Sequence, residues 1–287
     1  MASRWHVARS SPISRWRIPL AAAALVLGSL GAAVGSAGAA GAATTVTHPG
    51  ITHTRPGGAV GGFQPGGLLR GHGATAARTG AVKNGTTSTN WSGYAVTGGS
   101  GAFNSVSSSW TEPSANCSGG TQYAAFWVGL DGYNSDSVEQ TGSDSDCSGG
   151  SPDYYGWYEM YPADPVYFTN PVSPGDSMSA SVTVSGTNYT LTLTDNTQGW
   201  TQTENETGSF SNSSAEVITE APSSSEGPLP LADFGTVNYS GASANGSSMG
   251  SQNPTSITMV GSSGDQLDST SAIDGSGDFS NTWQASS

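Results

Sequence analysis

The residues with chemical potential are few and closely spaced. One stretch runs Trp127-Val-Gly-Leu-Asp131-Gly132, then seven residues, then Gln140-Thr141-Gly142. Farther on come Tyr158-Glu159-Met160-Tyr161 and Ala215-Glu216-Val217-Ile218-Thr219-Glu220. Together they offer one amide and several carboxylates, and no other catalytic residue type accompanies them. Such a set suits acid. A glutamate, with an ordinary pKa of about 4.3, changes charge there, whereas a histidine would be locked as imidazolium. A glutamine amide keeps its donor at every pH and can hydrogen-bond an oxyanion.

Elimination narrows the chemistry further. All eight Lys and Arg and all four His lie at or before Lys83, while all 21 Asp and Glu lie after it. Residues 84–287 therefore carry a formal charge of −21 near neutrality, with no cation to offset it. That surface repels itself when ionised, so compactness is favoured where the carboxylates are protonated. Nucleic acid is excluded as a partner, because nothing could release counterions from phosphate. Gly246-Ser-Ser248-Met-Gly250 fits the nucleophile-elbow spacing, but no His follows to act as its base, which leaves a Gly/Ser loop. Ser-Lys, Cys-His and zinc chemistry fail for want of partners, and no Asp-Ser/Thr-Gly pair exists for an aspartic dyad. Asp144-Ser-Asp146 could hold calcium, yet two alternate aspartates among serines predict a solvated loop, so no metal or other cofactor is expected.

The elements that must position these groups divide into three segments. Residues 1–43 have the arginine-bearing start, apolar run and small-residue end of a secretory signal peptide; the rival reading, a membrane anchor, is opposed by a short, glycine-interrupted run. Residues 44–83 are Gly-rich and basic, either a plain linker or a pro-segment that lies on the acidic domain by charge attraction and inhibits it. Residues 84–287 form the acidic domain, expected to be extracellular, monomeric and free of membrane once the leader is removed. Cys117 and Cys147 are the only cysteines, and an oxidising destination pairs them into a disulfide that brackets the Trp127–Gly142 stretch.

Short alternating runs separated by Gly, Ser, Asn and Pro predict strands, clearest at 105–110, 123–130, 154–161, 178–184, 189–193, 234–239 and 256–260. Val182 to Leu191, with Gly186 at its centre, predicts a hairpin. No helical period appears after the leader. The fold class is all-β, a sandwich of antiparallel sheets. Within 154–161, the two-residue period puts Tyr155, Trp157, Glu159 and Tyr161 on one face and Tyr154, Gly156, Tyr158 and Met160 on the other.

The sequence resembles the glutamic peptidases, the eqolisin family of secreted acid endopeptidases, across most of residues 88–260. The resemblance is carried by Asn90-Trp91-Ser-Gly, Trp127-Val-Gly-Leu-Asp131-Gly132, Gln140-Thr141-Gly142, Trp157-Tyr158-Glu159 with Tyr161-Pro162, Ala215-Glu216 leading to Glu220, and Asp233-Phe234-Gly235-Thr236-Val237. It implies a sandwich of two large antiparallel sheets, polypeptide substrates and resistance to pepstatin. It also implies a catalytic pair of Gln140 and Glu220, with supporting substrate-cleft positions at Trp91, Trp127, Asp131, Asp144, Trp157, Glu159 and Tyr161. Glu220 would activate water as general base and then protonate the leaving amine, while Gln140 would stabilise the oxyanion. Val217 departs from the aromatic common at its position, and strand alternation puts Glu216, Ile218 and Glu220 on one face, so Glu216 stands as the alternative carboxylate. Two other functions fit a secreted sandwich: a glycoside hydrolase using Glu159 and Glu220 with aromatic stacking, which gives Gln140 no role, and a non-catalytic carbohydrate-binding or adhesion module, which needs no pro-segment.

Overall fold

The computed structural model describes residues 85–287 except Gly119, Asn134, Ser225 and Glu226. The signal peptide and basic segment expected at 1–43 and 44–83 lie outside the described residues. Eighteen strands follow one another: β1 (Gly85–Ser88), β2 (Trp91–Thr97), β3 (Ser105–Thr111), β4 (Ala125–Leu130), β5 (Val138–Ser148) and β6 (Ser151–Tyr161). Next come β7 (Val166–Tyr167), β8 (Ser177–Ser185), β9 (Asn188–Asp195), β10 (Trp200–Thr207), β11 (Ser214–Glu220), β12 (Ser223–Ser224) and β13 (Gly227–Pro228). The last are β14 (Thr236–Ala244), β15 (Ser247–Ser248), β16 (Thr255–Val260), β17 (Gln266–Thr270) and β18 (Phe279–Trp283). Among the described residues the only helical element is the 3-10 turn Met249–Ser251, and no helix is long and apolar enough to cross a membrane. Each run predicted as a strand falls on one. In the predicted hairpin, Ser185 pairs with Asn188 across Gly186-Thr187, and Gly186 takes φ +65°, a conformation glycine adopts without steric cost.

Hydrogen bonding is continuous along the order β10-β9-β8-β3-β14-β18-β17-β16-β2-β11-β4-β5-β6-β7. The two large sheets expected from the resemblance are thus two layers of one folded sheet, joined through β18, β17 and β16. β3, β8 and β9 lie across β11, β4, β5 and β6. Between the layers sits the main core, where Val106, Trp110, Met178, Val182, Leu191 and Leu193 meet Phe126, Val128, Leu130 and Val217. All of these come from one parity of their strands, as a pleated half-core requires.

The opposite face of β2, β11, β4, β5 and β6 is also buried, by a separate aromatic cluster that includes Trp91, Trp127, Tyr155, Trp157, Tyr161 and Ile218. These strands are therefore covered on both sides, and β4 and β11 are buried along their whole length.

Cys117 and Cys147 form the expected disulfide. It ties the segment before β4 to the far end of β5, closing a loop over a sequence separation of 30. A loop of that size stabilises by about 3 to 4 kcal/mol through restriction of the unfolded chain. Replacing both cysteines by serine is expected to lower Tm at pH 4 by about 10 °C for a domain of this size. A calorimetric shift below about 2 °C would contradict that role for the bridge.

The Gly246–Gly250 stretch is a tight turn and not a nucleophile elbow. Ser248 spends its Oγ on the Gly250 backbone N–H (3.2 Å) at the start of the 3-10 turn.

Candidate active site

Strand register arranges the aromatic-cluster face as three rows of laterally paired residues. The first runs Ala95, Glu216, Gly129, Gln140, Glu159 across β2, β11, β4, β5 and β6. The second runs Gly93, Ile218, Trp127, Gly142, Trp157, and the third Trp91, Glu220, Ala125, Asp144, Tyr155. Two glycines make the lattice fit. A Cβ on Gly142 would lie 2.2 Å from the Phe126 carbonyl and 2.6 Å from the Trp127 Cβ, so the position between the two indoles must be bare. A Cβ on Gly129 would lie 2.9 Å from the Trp127 ring and 3.2 Å from the Gln140 Cβ. Its absence lets the Trp127 ring pack over this position beside Gln140.

Glu220 is wholly buried, yet well supplied with donors. Trp127 Nε1 donates to its Oε2 (2.9 Å) and Asn90 Nδ2 to its Oε1 (3.1 Å). Trp91 stands edge-on to Trp127 with ring centroids 5.0 Å apart; its N–H makes no hydrogen bond of ordinary geometry but points a favourable dipole at the same carboxyl. Asn90 opens the first family-like motif, and its position before Trp91 was the only sign of this role in the sequence. Burial pushes the Glu220 pKa well above the usual carboxylate range; the Trp127 bond opposes this, and nearby Glu159 and Asp144 add to it.

Gln140 donates from Nε2 to Glu159 Oε2 at 2.6 Å, and both side chains are sealed from solvent, at 0 % and 2 % exposure. Burial raises Glu159 to about 8, against the lowering effect of the Gln140 bond. Asp144 accepts from Trp157 Nε1 at 2.6 Å and is raised to about 7, again by burial. Gln140, Glu159, Asp144 and Glu220 thus share one cluster with Trp91, Trp127 and Trp157, and Tyr161 closes the same aromatic group. The Tyr155, Trp157, Glu159, Tyr161 face is the one expected from alternation.

The other expected positions lie elsewhere. Asp131, at the end of β4, adopts φ +67° and accepts from the backbone N–H groups of Asn212 (2.5 Å) and Ser213 (2.8 Å), anchoring the approach to β11. Glu216 is on the same strand face as Glu220 and shares the Gln140 row with Gly129 between them, and the charges acting on it are Asp131 and Glu139. Neither of its oxygens has a hydrogen bond of ordinary geometry; burial raises its pKa, and Ser214 and the Tyr133 backbone oppose that rise.

Asp144-Ser-Asp146 is not the solvated loop the sequence suggested. It lies inside β5, wholly buried, with Asp146 accepting from Tyr155 O–H at 2.5 Å. Strand pairing on both sides and aromatic cover overrode its polar composition. Among the described residues no group of three His, Cys, Asp or Glu is arranged to hold a metal ion. Glu112 is a further buried acid with no warning in the sequence. On the core side of β5 it accepts from Ser145 (2.6 Å), Ser143 and Trp110, and burial lifts it to about 8.

Comparison with known proteins bears on the family and the fold. Residues 89–283 match the Peptidase A4 family. Aspergillopepsin-2 of Aspergillus niger is 32 % identical over 204 residues, covering 60 % of this chain and 72 % of the relative. The structure of scytalido-glutamic peptidase with a transition state analog inhibitor superposes with a TM-score of 0.59 at 27 % identity, covering 68 % of this chain and 98 % of that one. Aspergilloglutamic peptidase from Aspergillus niger gives 0.51 at 29 % identity, covering 57 % and 99 %. With the all-β layers, the ordered motifs and the family match in agreement, this chain belongs to the Peptidase A4 family and is a glutamic-type peptidase, acting on polypeptides.

Proposed function

We propose that the chain is an exported endopeptidase that hydrolyses peptide bonds in acid, with Glu220 handling protons and Gln140 stabilising the oxyanion. The observation that carries this reading is the gathering of Gln140 and Glu220 in one aromatic-lined cluster, with no Lys, Arg or His anywhere in residues 84–287 to offer another base or electrophile.

The protonation of Glu220 departs from the simple expectation of a resting carboxylate. Before substrate enters, burial holds it as the acid. Solvent entering with substrate carries the Glu220 proton away, the Trp127 and Asn90 donors then favour the carboxylate, and one water remains as the nucleophile. Glu220 takes a proton from that water as its oxygen attacks the scissile carbonyl. The carbonyl π electrons move to oxygen, where the Gln140 amide donates to the developing charge. On collapse, the C–N bond breaks and the leaving amine takes the proton from Glu220. Pepstatin, export and inhibition by the basic segment 44–83 belong to the same proposal: the enzyme ignores the first, and the last acts by charge attraction to the acidic domain.

The test is digestion of a denatured protein at pH 2 to 5 with pepstatin present throughout. Wild type is expected to cleave, and Gln140→Ala to lose about 10²- to 10³-fold in kcat, the usual effect of removing one oxyanion donor. A folded Gln140→Ala enzyme with near-normal turnover would remove Gln140 from the mechanism.

A further inference from the structure

Gln140 presents an unbalanced amide. Its Nε2 is committed to Glu159, while its Oε1 is buried with no hydrogen-bond partner. For an oxyanion donor this is the wrong way round, because the N–H₂ that should be free for substrate is engaged by Glu159. The geometry points to Glu159 as a positioning residue that sets which end of the Gln140 amide faces the cleft. Protonated, the Glu159 hydroxyl donates to Gln140 Oε1 and frees Nε2 for the oxyanion; ionised, Glu159 captures Nε2 as acceptor. This rests on the proposed role of Gln140.

Three features support it. Gln140 and Glu159 are direct lateral partners across β5 and β6, so their side chains face each other without a spacer. On the other side of Gln140 stands Gly129, which contributes no side chain that could compete with Glu159 for the amide. Turning a terminal amide about its last torsion exchanges oxygen and nitrogen in nearly the same volume, and that torsion is roughly two-fold. A protonated carboxyl then supplies one donor and one acceptor, and it pairs with Oε1 where a carboxylate can only accept.

The surroundings hold the proton on Glu159 through the acid range. Asp144 faces it from β5, Glu220 from β11 and Asp164 from the segment after β6; each is acidic, and no Lys, Arg or His lies among the described residues. Tyr167 of β7 packs on Tyr155 and adds no charge in acid. Burial raises Glu159 to about 8, so at pH 3 to 5 it is the acid and the productive amide orientation prevails.

The decisive experiment is isotope-edited infrared spectroscopy at pH 4, with the glutamate side-chain carboxyls ¹³C-labelled and Glu159 assigned by difference against Glu159→Gln. A protonated-carboxyl band is expected for Glu159, and it should move in Gln140→Ala because its hydroxyl loses its acceptor. Kinetics on a quenched fluorescent peptide form the second readout. Glu159→Ala is expected to lower kcat about 30-fold with little change in KM. Glu159→Gln, whose amide can donate to Oε1 without ionising, is expected to recover most of that loss. A carboxylate band at pH 4, a band indifferent to Gln140→Ala, or equal losses in both Glu159 variants would overturn the inference. If instead Gln140→Ala keeps full turnover while the band still shifts, the catalytic reading of Gln140 fails and the hydrogen bond stands.

Discussion

Raising the pH from 4 to 8 is expected to unfold this domain, with a midpoint at about pH 6 to 7. Glu112 and Glu159 are raised to about 8, Glu139 to about 9, and Asp144 and Asp268 to about 7, all chiefly by burial. Asp146, Glu216 and Glu220 are raised as well. In the unfolded chain the same groups ionise near pH 4. The folded state therefore binds more protons from about pH 4 upward, and stability falls as pH rises. The stabilisation is complete below the unfolded pKa values and is lost as pH climbs through the folded ones. Each proton held only by the folded state tilts stability by about 1.4 kcal/mol per pH unit. If only three of the eight act fully, the slope is about 4 kcal/mol per unit, and a domain stability of about 5 to 15 kcal/mol is exhausted within about one to four units. No cation can intervene, since the last one in the chain is Lys83. Circular dichroism and tryptophan fluorescence through a pH titration provide the check. An unchanged fold and thermal midpoint between pH 4 and pH 9 would refute the burial argument.

What the sequence disclosed depended on how each strand is covered. β3, β8 and β9 show one face to the core and one to solvent, so Val106, Trp110, Met178, Val182 and Leu191 alternate with Ser and Thr and are easily seen. β5 was invisible. Val-Glu-Gln-Thr-Gly-Ser-Asp-Ser-Asp-Cys-Ser has no apolar alternation, yet it lies between β4 and β6 and is buried from Val138 to Cys147. Several of its polar side chains are satisfied by partners from other segments, such as Glu112 for Ser145 and Tyr155 for Asp146, and no local pattern encodes those meetings. β10 was missed for the opposite reason: as an edge strand its exposed Thr201, Thr203, Asn205 and Thr207 leave little to alternate. The candidate site divides in the same way. Motif spacing marks Gln140, Glu159, Trp127 and Trp157, but only the structure separates Glu220, bonded by Trp127, from Glu216, which shares the Gln140 row and has Asp131 and Glu139 as neighbouring charges.

That separation predicts opposite outcomes for two equivalent substitutions. Glu220→Gln keeps the size of the side chain but removes its ability to take a proton from water. General acid–base catalysis contributes about 10² to 10⁴-fold, so kcat should fall by that range while KM changes little. Some stability is lost too, because the new amide N–H₂ must face either Trp127 Nε1 or Asn90 Nδ2, donor against donor, at a cost of about 1 to 3 kcal/mol. Glu216→Gln should behave in reverse. Its oxygens make no hydrogen bond of ordinary geometry, and Trp127 donates to Glu220 and not to it, so turnover at pH 4 should stay within about threefold of wild type. Removing one buried acid should also move the alkaline unfolding midpoint upward, since one fewer proton must be released on folding's loss. Parallel kinetics and pH titrations on the two variants separate the roles. If Glu216→Gln loses turnover and Glu220→Gln retains it, the proton-handling carboxylate belongs at the Asp131 end of β11, and the indole-bonded carboxyl of Glu220 is a structural acid.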